Sequence, residues 1–203
     1  RKPPMNRPID YYFAAQSPWA YLGHERFVQL LRRSRRDVRE LPVDFGRVFA
    51  ASGGLPLPQR APQRQAYRLL ELQRFAERLE VPLNLQPKFF PVDGTPASLL
   101  ITAVAQHDGA EAALRLAGAV LAACWREQRD IASEGTLAEL LDESDLPAAR
   151  LAEAHAADTR ARYDAHTQAA IEAGVFGAPS YLVDGELFWG QDRLDFVARK
   201  LGF

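Results

Sequence analysis

The sequence predicts an α/β protein: a four-stranded sheet assembled from both ends of the chain, with a large all-helical insertion between them. Three observations carry this. First, an alternating apolar stretch (Ile9, Tyr11 and Phe13 against Asp10, Tyr12 and Ala14) leads into a helical pattern and then a second extended run, V-R-E-L-P-V-D-F, at residues 38–45. Second, near the far end, the runs S-Y-L-V and E-L-F-W flank Asp184-Gly185, a strong hairpin signal. Third, residues 46–170 carry helical periodicity with no strand pattern. Neither end can bury its apolar face alone, so the two must pack as one sheet covered by helices. The domain reading is residues 8–45 with 171–203 as one discontinuous unit, and 46–170 as the insertion.

Each element has a local cause. The first strand is apolar on both faces, as a central strand should be. Ser17-Pro18 then starts a helix, with Ser as N-cap and Pro at the first helical position. Phe27, Leu30 and Leu31 continue its stripe to R-R-S-R-R at 32–36, cations that suit a helix C-terminus. A helix joining two strands in this way favours a parallel pair. Pro42 puts a bulge or an unpaired edge in the second strand. S-G-G-L-P-L-P-Q-R-A-P at 52–62 is a loop. Leu69, Leu72, Ala76 and Leu79 then share one helical face, and residues 80–96, with four prolines, form an extended connection. Helices follow at 97–107 and at 110–127, the latter with Ala113, Leu116, Val120 and Cys124 on a face, and a short one begins near Thr136. A single long helix follows Leu146-Pro147 to about Ala173. Residues 191–201 close the chain as a helix, with Gly202 as its cap.

Composition removes several classes of function. The 203 residues carry a net charge of −1, which offers nothing to nucleic acid or an anionic membrane surface. No apolar run approaches the roughly 20 residues needed to span a bilayer. The basic start, R-K-P-P-M-N-R-P, lacks the apolar run of a secretory signal, and Met5, the sole methionine, reads as the natural start with residues 1–4 extraneous. One cysteine, Cys124, excludes an intrachain disulfide and fits a reducing, cytoplasmic setting. It lies on an apolar helical stripe and reads as a buried small hydrophobe. No ligand spacing for a metal is present. His155 and His166, eleven residues apart, read as sharing a helix face about three turns apart, too far for one ion. His24 reads as surface or structural.

Many redox proteins place C-P-x-C at such a strand-to-helix junction; here those cysteine positions hold Ser17 and Ala20. With S-P-W-A-Y-L, L-P-V-D-F-G-R-V-F, R-Y-D-A-H-T-Q-A-A-I-E-A-G-V-F-G-A-P-S and F-W-G-Q-D-R-L in that order from residue 9 to 201, the chain resembles the 2-hydroxychromene-2-carboxylate isomerases. These are relatives of DsbA-type oxidoreductases and kappa-class glutathione transferases with a thioredoxin-like fold. The resemblance implies glutathione as cofactor, a small aromatic substrate, a homodimer and no nucleic-acid or membrane partner.

It also implies roles. Read alone, Ser17 is an N-cap; by resemblance it is the catalytic serine, donating to a thiolate borrowed from glutathione at a helix end that favours anions. Pro18 and Trp19 adjoin it. Ala178-Pro179 reads alone as a turn; the resemblance makes the bond cis and makes Ala178 the backbone partner of glutathione's cysteine. Gln191 and Asp192 read alone as helix-start chemistry; the resemblance gives them the γ-glutamyl end, with Arg193 pairing to a neighbouring carboxylate. The family's Lys near 49 and 50 and Asn at 54 are replaced by Phe49, Ala50 and Gly54, and Arg60 is the candidate replacement cation. Trp125, Phe89 and Phe90 read as core, with one or two available to line an aromatic slot. The reaction implied is cis–trans isomerisation by reversible thiolate addition. A kappa-like transferase and a non-catalytic glutathione-binding protein are the alternatives.

Overall fold

The computed structural model describes residues 7–203, so the reading of Met5 as the start lies outside the described residues. Strand β1 (Ile9–Phe13) leads to helix α1 (Pro18–Ser34) and strand β2 (Val38–Pro42). Seven helices follow: α2 (Phe45–Ser52), α3 (Pro62–Leu79), α4 (Thr95–Asp108), α5 (Ala110–Trp125), α6 (Glu134–Glu143), α7 (Arg150–Ala154) and α8 (Ala157–Glu172). Strands β3 (Ser180–Val183) and β4 (Glu186–Trp189), a 3-10 turn (Gln191–Arg193) and α9 (Leu194–Lys200) complete the chain. The sheet order is β2-β1-β3-β4, with β1 parallel to β2 and antiparallel to β3. This is the thioredoxin-like α/β fold expected, with β1 central and the helical block between β2 and β3.

Several boundaries differ from the sequence expectation. The second extended run ends at Pro42, on an edge strand, because Asp44 turns the chain into α2 by accepting from the Gly46 and Arg47 N–H groups. The single helix expected after Leu146-Pro147 is two, broken at His155 and Ala156, so His155 and His166 do not share a helix. The closing helix begins as a 3-10 turn, its cap is Leu201, and Gly202, at φ +91°, is the residue after that cap. The hairpin turn has positive φ at both Asp184 (51°) and Gly185 (87°), the signature of a two-residue turn matched to strand twist.

Two cores flank the sheet. Tyr12, Leu41, Phe45, Val48 and Ala170 pack on one face, under α2 and the end of α8. On the other, Ile9, Tyr11, Phe13 and Tyr181 join residues of α1, α4 and α5 in one continuous cluster. An aromatic stack forms its centre, with Tyr11 4.7 Å from both Phe13 and Phe27 and 5.5 Å from Tyr181 between ring centroids. Ala113, Leu116, Val120 and Cys124 all face this core, as their spacing requires.

His24 ties α1 to α5 inside this core. Its Nε2 lies 2.9 Å from the Leu114 carbonyl, which can only accept, so Nε2 carries the proton. Nδ1 then accepts from the Tyr11 hydroxyl at 3.1 Å. Burial lowers the His24 pKa, keeping the ring neutral. Gly118 makes room: a Cβ there would lie 3.0 Å from the ring.

A second buried polar group sits at the β2 edge. Glu40, on the large-core face, is 6% exposed, and its Oε2 has no partner among the described residues. Burial raises its pKa to about 7. His166, lining the same cavity of about 290 Å³, is pushed down to about 4 by burial. The signs follow. Glu40 binds its proton more tightly when folded, so its contribution is whole below about 4.5 and lost as pH rises through 7. His166 contributes fully above about 6.5, and this is lost as pH falls towards 4.

Two measurements check these assignments. His24→Ala should cost about 2–4 kcal/mol in urea denaturation, because it opens a cavity in the core and leaves the Tyr11 hydroxyl buried and unpaired. Between pH 4.5 and 8, wild type should lose up to about 3 kcal/mol more stability than Glu40→Gln. Parallel stability profiles would contradict the burial of an unpaired acid.

Candidate active site

The site is built where β1 ends. Ser17 is 8% exposed, and its N–H donates to the Ala14 carbonyl at 3.0 Å. Its φ and ψ of −78° and 121° are those of an N-cap, and Oγ accepts from the Ala20 N–H at 3.1 Å. The hydroxyl proton has no acceptor among the described residues, so the group caps the helix and retains one donor.

The turn before β3 approaches from the neighbouring strand. Tyr12 pairs with Ser180, so Pro179 lies one register step further, beside Phe13, where the chain leaves for Ser17. The Ala178–Pro179 bond is cis, and so is Phe90–Pro91, which sequence reasoning did not anticipate. The Pro179 carbonyl accepts from the Gly190 N–H at 2.9 Å, bringing the start of the 3-10 turn to the same corner. The structure thus gathers Ser17, Pro18, Ala178, Pro179 and the 190–192 segment at one end of the sheet.

Gln191 and Asp192 divide. The Gln191 side chain turns inward, 2% exposed, with its carbonyl oxygen bonded to the Arg26 guanidinium. It packs against Gly23, where a Cβ would lie 2.7 Å from Gln191 Cβ. Asp192 points out and pairs with Arg193 at 2.5 Å, the neighbouring-carboxylate pairing expected for that arginine. Trp19 is half-buried, edge-on to Phe75 of α3 at 6.0 Å.

The helical block supplies the opposite wall. Trp125 is fully buried, and its Nε1 donates to the Gln16 carbonyl at 3.1 Å, one residue before Ser17. Phe90 packs on it at 4.7 Å. Phe89 does not join the core: it is exposed and carries Lys88 over its ring, because α4 starts only at Thr95 and the chain is still in its connection. The Phe49 ring lies against Gly54, where a Cβ would approach to 2.6 Å, so the two positions pack as one unit. Arg60 sits over the Phe49 ring at 5.7 Å and donates to the Leu55 carbonyl.

A groove of about 1300 Å³ lies elsewhere. It runs along α1 and α5 past Tyr21, Glu25, Arg32 and Arg115, and does not include Ser17, Pro179 or Asp192. This groove is separate from the corner at the end of β1, where the Ser17 cap and the Pro179 turn come together. Among the described residues, no group of three His, Cys, Asp or Glu side chains is placed to hold a metal, and no helix is long and apolar enough to cross a membrane.

The family model for the DSBA-like thioredoxin domain matches residues 8–202. The chain belongs to that family. It is 30% identical over 199 residues to a 2-hydroxychromene-2-carboxylate isomerase of Sphingobium xenophagum, covering 97% of this chain and 99% of that one. The solved structure of a 2-hydroxychromene-2-carboxylate isomerase superposes with a TM-score of 0.80 at 26% identity, covering 97% and 95% of the two chains. Glutathione S-transferase kappa 1 of Caenorhabditis elegans is 28% identical over 137 residues, 66% of this chain and 60% of that one. The expected kinship with isomerases and kappa transferases is thus met.

Gly23 sets how closely the 190–192 segment approaches α1. Gly23→Val should cost about 2 kcal/mol or more, because backbone and Gln191 must move together; urea denaturation measures it, and an unchanged midpoint would contradict the packing described.

Proposed function

We propose that the protein is a glutathione-dependent cis–trans isomerase acting on 2-hydroxychromene-2-carboxylate or a similar aromatic unsaturated keto acid. The observation that carries the reading is the Ser17 hydroxyl: an N-cap with an unspent proton, at a strand-to-helix junction that has no cysteine at 17 or 20. Such a donor set suits an anionic sulfur supplied from outside the chain. Kinship with a protein named as a glutathione transferase supports glutathione as its source.

Glutathione, when bound, would supply a thiolate for reversible addition to the conjugated double bond, the chemistry that permits rotation. The chain's own residues would do the rest. Ser17 would donate to the sulfur, and the first free N–H groups of α1 would hold its charge. Pro18 shapes that helix start and Trp19 walls it towards α3. Ala178, before Pro179, would pair its backbone with the tripeptide as a strand does. Asp192 would accept from the γ-glutamyl ammonium, while Gln191 contributes backbone only, since its side chain is held inside by Arg26. Arg60 stands on the far wall as a cation for a carboxylate. Nothing is oxidised overall, so Ala20 in place of a second cysteine is no handicap. A reducing, cytoplasmic setting belongs to the same reading, supported by the lone buried Cys124, as does a homodimer, supported by resemblance alone.

A kappa-like transferase is the second reading, favoured by the kappa relative. It uses the same thiolate but keeps the adduct. Incubation with glutathione and either the chromene acid or chlorodinitrobenzene separates them: isomer formed without net loss of glutathione supports the proposal, and stable conjugates with no isomer overturn it. Ser17→Ala should lower turnover by roughly 10²-fold while changing glutathione affinity less than about threefold, since the hydroxyl acts on the anionic sulfur. Calorimetry beside steady-state rates checks this, and equal turnover would contradict it.

A further inference from the structure

Three arginines at the start of α3 and just before it stand without a counter-ion among the described residues. Arg64 and Arg68 stand one turn apart on α3, and Arg60 precedes that helix. Among the described residues none of the three has a carboxylate within 4.0 Å, whereas Arg126, Arg129 and Arg150 on neighbouring elements each have at least one. The three are close enough to repel: Arg60 feels Arg64, and Arg68 feels Arg60. Arg68 is half-buried, and burial lowers its pKa to about 10, so it is cationic at neutral pH and uncompensated.

What Arg68 does contact is aromatic. Its Cζ lies 5.5 Å from the centre of Phe90 and 5.9 Å from that of Trp125. A guanidinium drawn to aromatic rings keeps N–H groups free to donate elsewhere. Among the described residues no protein acceptor bonds those of Arg68, and none of its nitrogens is among the buried, unpartnered atoms, so they are open to a ligand arriving from solvent. Trp125 in turn bonds the Gln16 carbonyl, so the Arg68 edge stands one indole ring from the helix start that carries Ser17.

We propose that Arg68, assisted by Arg60, binds the carboxylate of the aromatic substrate, with the half-buried Phe90 as the apolar wall for the rest of the molecule and the fully buried Trp125 holding that ring from behind. This rests on the isomerase reading and deepens it, by assigning the group that selects acids over neutral electrophiles. A guanidinium fits a carboxylate bidentately through two parallel N–H donors. Glutathione's own glycine carboxylate is the competing source of the same chemistry.

The test titrates the full-length protein by calorimetry with trans-cinnamate and with trans-cinnamide, each with and without saturating glutathione, in wild type, Arg68→Gln and Arg68→Lys. Wild type should prefer the acid by about tenfold or more, Arg68→Gln should reduce the preference to within about twofold, and Arg68→Lys should fall between, as loss of a bidentate charge-assisted contact predicts. Glutathione affinity should stay within about threefold in both variants. No acid preference in wild type, or a preference that survives Arg68→Gln, overturns the proposal. A glutathione affinity that collapses while the acid preference persists assigns the arginine to the tripeptide and overturns it too. Absence of glutathione binding in wild type defeats the isomerase reading instead, and the titrations without glutathione still decide the carboxylate site.

Discussion

The arrangement depends on where helix α1 begins. Ser17 can cap that helix at the mouth of the site only because β1 ends at Phe13, beside the Pro179 turn, and because α1 is held rigidly against the sheet behind it. The holding is done by Phe27 in the aromatic stack, by His24 reaching across to Leu114 of α5, and by Gly23 admitting Gln191. These contacts involve four different stretches of chain, so the position of one hydroxyl is set by the whole core and not by the local S-P-W-A sequence. A helix end so fixed presents its unpaired N–H groups and one spare O–H donor at a constant place. That preorganisation is what a thiolate site needs when the thiol belongs to a diffusible ligand.

The continuous core also explains how the helical block can take part in a site built on the sheet. Trp125 lies in the same cluster as Tyr11 and Phe13, and its indole N–H bonds the backbone at Gln16. Motion of α5 would therefore be felt at the residue before Ser17. Phe90 packs on that indole, and the Arg68 guanidinium lies near both rings. In the proposed site, backbone suited to a peptide-like ligand would face an aromatic and cationic wall.

Much of this was legible in the sequence, for identifiable reasons. Strand alternation, the Ser17-Pro18 start and Asp184-Gly185 are local signals, and each element appeared where the signal placed it. What was not legible depended on tertiary contact. Residues 38–45 look like one extended run because Val43 is apolar, yet Asp44 ends it as an N-cap. The break at His155 and Ala156 has no Pro or Gly to announce it. His24 has the composition of a surface residue, and only Leu114, ninety residues away, gives it a reason to be buried. Gln191 read alone gave only helix-start chemistry, and its place at the γ-glutamyl end came from the resemblance; that its side chain turns inward beside Gly23 and onto Arg26 requires knowing which face of α1 it meets. Arg68 carries no motif at all, and its interest lies in what is missing around it.

The central claim is that the amino end of α1 stabilises a thiolate that the polypeptide does not own. The most direct measurement is the pH titration of glutathione's thiol while bound, followed by ultraviolet absorbance of the thiolate. The account predicts that the pKa falls from the ordinary value of about 8.5 to below about 7.5. A bound thiol that ionises at or above its free value would contradict it.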